Sequence, residues 1–343
     1  MFQGRGFVRG LLRGGAAKVE SELGPRMGSP GLGEGSPLAL GPKPVTLAIS
    51  TLDRPLVLRE TLDALGDVDL DLVLEVLIVD QSDTPLDPSP WRDALPIRVV
   101  PQRARGLGVS RNEVIAQAKT EIVLFLDDDV VPEPGLVREH LRVYRERPRC
   151  VGVAGYEKIG SPSARRAWRG LVRRALVRGL GPYLRWRREY ARFLDPEGQP
   201  VGLVLRSGLL LCDFSRRLPC RVMTPRGCNM SFRRDVLLAV GGFDPACVGP
   251  RRDETDLALR ISEAMPDAEL WFSPGARLTH WMTPSGGCRT GDRRERMRRD
   301  LACELQFARR HLRPLGRALC ILRLVLARLP ALLRYPSLVR GLL

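Results

Sequence analysis

Three consecutive aspartates, Asp127, Asp128 and Asp129, follow the apolar run Glu121-Ile-Val-Leu-Phe-Leu126. A run of that kind reads as a buried strand, and residues continuing it alternate faces, so Asp127 and Asp129 are expected to point the same way. Two carboxylates on one side make a hard-oxygen site for Mg2+ or Mn2+. Such ions take one or two protein carboxylates and complete their shell with water and phosphate oxygens. The plainer reading is an acidic turn with solvated charges, but three adjacent carboxylates repel one another unless a cation is near. A second acidic pair, Asp253-Glu254, precedes Asp256-Leu-Ala-Leu-Arg260. Its plain reading is a helix start, where carboxylates complement the helix dipole. Asp256 and Arg260 sit at the spacing of an intrahelical ion pair, which is reason enough for both.

The elements that must position these residues are legible in outline. Val45-Thr-Leu-Ala-Ile49, Leu74-Glu-Val-Leu-Ile-Val79, Ile97-Arg-Val-Val100 and Glu121–Leu126 read as strands. Leu56, Leu58, Leu62 and Leu65 recur at roughly helical spacing, and Leu107–Lys119 reads as a helix. Strands alternating with helices predict an α/β fold with a mainly parallel sheet. In such sheets ligands bind outside the carboxyl ends of the strands. Thr51 and Arg54, Asp80, and the three aspartates all fall at those ends.

Composition sets the limits. The chain has 343 residues and a formal charge of +16, and only four of its 55 basic residues are lysine. At 44% hydrophobic it can bury a sizeable core, which excludes a wholly disordered chain. No uncharged apolar run is long enough for a transmembrane helix, and the N-terminus does not read as a secretory signal. None of the eight cysteines forms a Cys-x-x-Cys pair, so reduced, mostly buried thiols are expected. Residues 1–43 read as a flexible Gly/Pro-rich tail, 44–300 as the main domain, and 301–343 as a basic amphipathic helical extension.

Several segments, taken in order, resemble the family 2 glycosyltransferases, inverting enzymes with the GT-A fold. They are Ser50-Thr-Leu-Asp-Arg-Pro55, Val79-Asp-Gln-Ser82, Arg105-Gly-Leu-Gly-Val-Ser-Arg-Asn112 and Phe125-Leu-Asp-Asp-Asp-Val130. Arg226-Gly-Cys-Asn-Met-Ser-Phe-Arg233 with Gly241-Gly-Phe-Asp244, then Asp253-Glu-Thr-Asp-Leu-Ala-Leu-Arg260 and His280, complete the series. The resemblance implies a Rossmann-like GT-A fold, a nucleoside-diphosphate sugar donor, and Mn2+ or Mg2+ as cofactor. It implies Asp127, Asp129 and His280 as metal ligands; taken alone, His280 reads better as a structural histidine. The usual acidic pair of the family is Glu then Asp. Here the order is reversed, and by position the general base falls on Glu254, with Asp253 beside it. Thr51, Arg54, Asp80, Arg111 and Asp128 fall to the donor. In that role Asp80 would accept from the imide of uracil or thymine, and Arg111 would present a forked donor to a base carbonyl or phosphate. Gly286-Gly287 reads either as a lid hinge or as a plain turn.

Ten arginines and one acid lie between Ser161 and Phe193, interleaved with aromatic and aliphatic residues. This predicts a basic insertion at about 161–193. From Leu305 to Leu333, leucines together with Ala308 recur three and four apart, and no acid follows Glu304. Pro314 and Pro330 predict more than one helix there. The stripe suits an anionic membrane surface, packing on the main domain, or a coiled coil. No nucleic-acid-binding motif accompanies the charge. The expected enzyme is cytoplasmic, peripheral at the inner face of the cell membrane, with a glycan or lipid-linked acceptor. The rival readings are a sugar-nucleotide nucleotidyltransferase and an inactive membrane-associated scaffold. The first should carry a glycine-rich loop after strand one, and Ser50–Pro55 has no glycine. The second is disfavoured by the joint presence of Asp127, Asp129, Glu254 and His280.

Overall fold

A computed structural model describes residues 40–160, 179–246, 252–283 and 292–334. A nine-stranded sheet forms its centre. Strands β1 (Val45–Thr51), β2 (Val73–Asp80), β3 (Ile97–Pro101) and β4 (Ile122–Leu126) are mutually parallel, in the order β3-β2-β1-β4. Beyond β4 the chain departs from a simple parallel array. Strand β10 (Asn229–Arg233) lies antiparallel between β4 and β6 (Cys150–Ile159), and β11 (Glu269–His280) runs parallel to β6. The short β5 (Val130–Pro132) closes the far edge against the end of β11, and β9 (Cys220–Arg221) pairs with its start. Strands β7 (Gly202–Val204) and β8 (Leu210–Cys212) form a separate hairpin.

The sheet buries both faces, which is why its central strands are continuously apolar rather than alternating. In β4, Ile122, Leu124 and Leu126 enter one core while Val123 and Phe125 enter the other. Helices α1 (Pro55–Ala64) and α3 (Leu136–Glu146) cover the first face through Leu58, Leu62, Leu136, Val137 and Leu141. Helices α2 (Leu107–Gln117), α4 (Arg234–Ala239) and α5 (Asp253–Ala264) cover the second through Val114, Val236, Leu257 and Ile261. Fully burying one such side chain contributes about 1.5–3 kcal/mol.

A third core joins residues far apart in sequence. Helices α6 (Arg293–His311) and α7 (Pro314–Arg334), with Leu312 between them, deliver Leu301, Leu305, Phe307, Leu312, Cys320 and Leu324 to it. These meet Leu184, Tyr190, Phe193, the β7–β8 hairpin and Leu259 of α5. Pro314 starts α7, where a missing N–H costs no helical bond, and the helix then runs through Pro330 to Arg334. Position 300 lies inside α6 rather than between elements. The leucine stripe divides. Its first part is buried in the third core, whereas Leu315, Leu319, Leu322 and Leu326 of α7 are exposed. Among the described residues, no helix is long and apolar enough to cross a membrane. The tail 1–39 and most of the basic insertion, 161–178, lie outside the described residues.

Candidate active site

The chemistry-bearing residues gather where β1, β2 and β4 end. Thr51 and Asp80 are paired in register at the ends of β1 and β2. Strand β4 stops at Leu126, so Asp127–Asp129 form the connection into β5 rather than an extension of the strand. Strand alternation therefore does not set their directions. The pairing of Val130 in β5 with His280 in β11 does, because it brings the end of β11 alongside the turn. The Asp129 carbonyl accepts from the Trp281 N–H at 3.0 Å. His280 Nε2 lies 3.1 Å from Asp129 Oδ1 and 3.8 Å from Asp127 Oδ2. Asp127 and Asp129 thus do converge on one point, through sheet pairing.

Asp128 turns the other way. Its carboxylate accepts from Thr51 Oγ1 at 2.8 Å and pairs with Arg54, which also reaches Asp129 at 3.1 Å. Burial pushes the Asp128 carboxyl up to about 7, against the pull of Arg54 and Thr51. Burial also raises Asp127. Asp129 goes down: burial opposes its charge, but His280, Arg54 and the Thr283 N–H outweigh that. Burial likewise opposes a charged His280, yet Cys228, Asp129 and Glu157 around it hold its pKa well above the ordinary histidine range.

Glu157 is the residue that orients His280. Its Oε1 accepts from Nδ1 at 2.7 Å, leaving Nε2 to face the aspartates, and its Oε2 pairs with Arg226 at 3.1 Å. A carboxylate behind a histidine is the usual support for a metal-binding imidazole. Cys228 joins the same place. Ligand atoms of Asp127, Cys228 and His280 all lie within 4.8 Å of one another. This mixed donor set fits a divalent ion. Neither Glu157 nor Cys228 emerges from the sequence reading. Glu157 had a signal, an isolated acid in the apolar run of β6, whereas Cys228 had none that sets it apart from other buried thiols.

The second acidic pair begins α5, and Arg111 joins it to the first. The Arg111 guanidinium, with a side chain only 3% exposed, pairs with Asp253 and lies 3.6 Å from Asp127 Oδ1. It donates to the Gly227 carbonyl at 3.0 Å and lies against the rings of Phe125 and Phe243. Arg111 thus bridges the two acidic clusters. Asp253 is almost wholly buried, while Glu254 keeps partial access to solvent. Burial, then the adjacent Asp253, raise the Glu254 carboxyl well above its ordinary range. Asp80 is buried too, and its two oxygens accept from the Ser82 and Leu86 N–H groups, shaping the loop after β2. Asp256 faces away, bound by Arg260 at 2.8 Å, Arg310 at 2.9 Å and His311 at 2.8 Å. The Gly286–Gly287 turn lies outside the described residues.

Residues 46–199 match the family model described as Glycosyl transferase family 2. No curated protein matches the sequence. Among solved structures, GalNAc-T7 with UDP, GalNAc and Mn2+ superposes with a TM-score of 0.51 at 14% identity. That match covers 77% of this chain and 50% of GalNAc-T7, so the chain spans about half the length of that protein. The mannosyltransferase PcManGT of Pyrobaculum calidifontis, with GDP-Man and Mn2+, gives 0.48 at 18% identity, covering 90% of this chain and 77% of that one. TarS 1–349 of S. aureus, with UDP-GlcNAc, gives 0.49 at 14% identity, covering 80% and 69%. At 14% identity the likeness to GalNAc-T7 is one of fold, and the fold is GT-A.

Removing one partner of a buried ion pair leaves the other charge stranded. Arg111→Met is therefore expected to destabilise the protein by about 3–5 kcal/mol. Denaturant unfolding of both proteins measures this, and a loss below about 1 kcal/mol, the scale of an exposed pair, would show that the bridge carries little weight.

Proposed function

We propose that the protein is a metal-dependent inverting glycosyltransferase. It moves a sugar from a nucleoside-diphosphate sugar, with UDP or dTDP as carrier, to a hydroxyl of a glycan or lipid-linked acceptor. The observation that supports this most is the joining of two acidic sites by Arg111: a donor set of Asp127, Asp129 and His280, and the carboxylate pair Asp253-Glu254. A Mn2+ or Mg2+ ion held by the first would act as a Lewis acid on the diphosphate leaving group. Thr51, Arg54, Asp80, Arg111 and Asp128 line the donor side.

In this reading the acceptor oxygen attacks the anomeric carbon as the bond to the diphosphate oxygen breaks, and the acceptor proton passes to Glu254. Two features favour Glu254 over Asp253 as base. Asp253 is buried and occupied by Arg111, while Glu254 is partly exposed. A raised pKa also suits a general base to neutral pH.

Glu254→Gln is expected to lower transfer by about 100- to 10,000-fold while leaving Mn2+-dependent nucleotide binding intact. Full activity in that variant would remove Glu254 as the base. The charged form of Glu254 is the active one, so transfer should rise with pH through an inflection above the ordinary Glu value of about 4.3. Asp253→Asn deletes the neighbouring negative charge and should move that inflection to lower pH. A pH–rate profile with the inflection unmoved would rule out the coupling.

The exposed face of α7 supports a location. Leu315, Leu319, Leu322 and Leu326 form one stripe, 46–74% exposed, on a helix and flank rich in arginine and free of acid. Such a face suits the surface of an anionic membrane. The full chain is expected to sediment with phosphatidylglycerol vesicles, less so at high salt, and not with phosphatidylcholine vesicles. The double variant Leu319→Glu, Leu322→Glu should stay in solution. Equal binding to both vesicles, or unchanged binding of the variant, would refute the placement.

A further inference from the structure

We propose that Cys228 is a sulfur donor to the divalent ion of this site, and that it biases the site towards borderline metals, Zn2+ and Co2+, over Mg2+. The inference rests on a cation sitting between Asp127 and His280, and not on sugar transfer itself.

Three observations place the sulfur there. Cys228 is 2% exposed, yet its Sγ lies within 4.8 Å of both an Asp127 oxygen and a His280 nitrogen. Next, the residues on both sides are pinned, Gly227 by its backbone and Asn229 by its side chain. The Gly227 carbonyl accepts from Arg111 at 3.0 Å. The Asn229 amide donates to the Tyr156 and Ala276 carbonyls at 3.1 and 2.9 Å, and its oxygen meets His140 Nε2 at 2.9 Å. Gly155 leaves the room for this, since a Cβ there would sit 2.1 Å from the Asn229 amide nitrogen. Finally, pairing of Asn229 with Leu126 sets Cys228 beside the first aspartate of the turn. The sulfur is thus positioned by the same sheet register that positions Asp127.

The chemistry follows from the donor set. One carboxylate oxygen, one imidazole nitrogen and one sulfur form a mixed site of the kind borderline metals favour. Mg2+ demands near-octahedral oxygen coordination and gains nothing from sulfur. On binding, a metal–sulfur bond would form as the S–H bond breaks and a metal–nitrogen bond as the His280 nitrogen gives up its proton, both protons leaving to solvent. Without the sulfur, Asp127, Asp129 and His280 would keep only the weaker preference that the imidazole supplies.

Cobalt reports sulfur directly, because a thiolate–Co2+ bond gives a near-ultraviolet charge-transfer band. The full chain, without nucleotide, is titrated with Co2+ and followed by absorption. Zn2+ and Mg2+ affinities are measured by calorimetry on the same samples. A saturable band at one Co2+ per chain is expected. Cys228→Ser should lose the band and bind Zn2+ at least about tenfold more weakly, the scale of even an outer-sphere loss. Its Mg2+ affinity should change by less than about threefold. Cys228→Ala provides the same readings if the serine variant does not fold. No band in the Co2+-saturated wild type, or an undiminished band in both variants, overturns the proposal. Mn2+-dependent transfer without the band would remove the sulfur donor and leave the transferase reading standing. The band without transfer from any nucleotide sugar would do the reverse.

Discussion

The constraint on which the site depends is the burial of one guanidinium between two acidic clusters. Asp127 and Asp253 come from different layers of the fold, 126 positions apart by number, and each would repel the other across a low-dielectric gap. Arg111 stands between them, enclosed by Phe125 and Phe243 and pinned on the Gly227 carbonyl. Arg54 does the same for Asp128 and Asp129, and His280 for the remaining face. The pocket is therefore acidic in composition but interleaved with cations of its own. The overall charge of +16 says little about it, because the arginines that matter to it are few, Arg111 buried and Arg54 partly so.

Register explains how so few residues suffice. The β1–β2 pairing sets Thr51 against Asp80, the β4–β10 pairing sets Cys228 against the aspartate turn, and the β5–β11 pairing sets His280 there too. A slip of one residue in any of these ladders would turn the side chain to the opposite face. The cores on both sides of the sheet make such slips costly, so the precision of the site comes from apolar burial at some distance from it.

The parallel half of the sheet was legible in the sequence, because β1, β2, β3 and β4 are local apolar runs ended by polar loops. Their bounds agree with the structure to within about two residues. The position of the aspartates was legible too, although the reason given for their convergence was strand alternation and the actual cause is β5–β11 pairing. The other half was not legible, because β10, β6 and β11 interleave out of chain order and no local period encodes that. Glu157, Cys228 and the bridging posture of Arg111 all depend on that interleaving. The segment Arg105–Asn112 marks Arg111 among 51 arginines, but nothing local marks its place between two carboxylates. The C-terminal stripe was read as a single periodic surface, but only tertiary packing decides that Leu305 and Leu312 are inside while Leu319 and Leu322 are outside.

Arg252 immediately precedes the acidic pair and adopts φ 76°, a left-handed backbone that costs a non-glycine residue about 1–2 kcal/mol. Its side chain is gripped by Glu304 at 2.8 Å, by the Gly208 carbonyl at 2.8 Å, and by the Phe307 ring. Two of those three partners belong to α6. The packing around the acidic pair therefore reaches well past the family-matched segment: the left-handed residue before the pair is kept in place by partners some fifty positions downstream, on a helix that belongs to a different core.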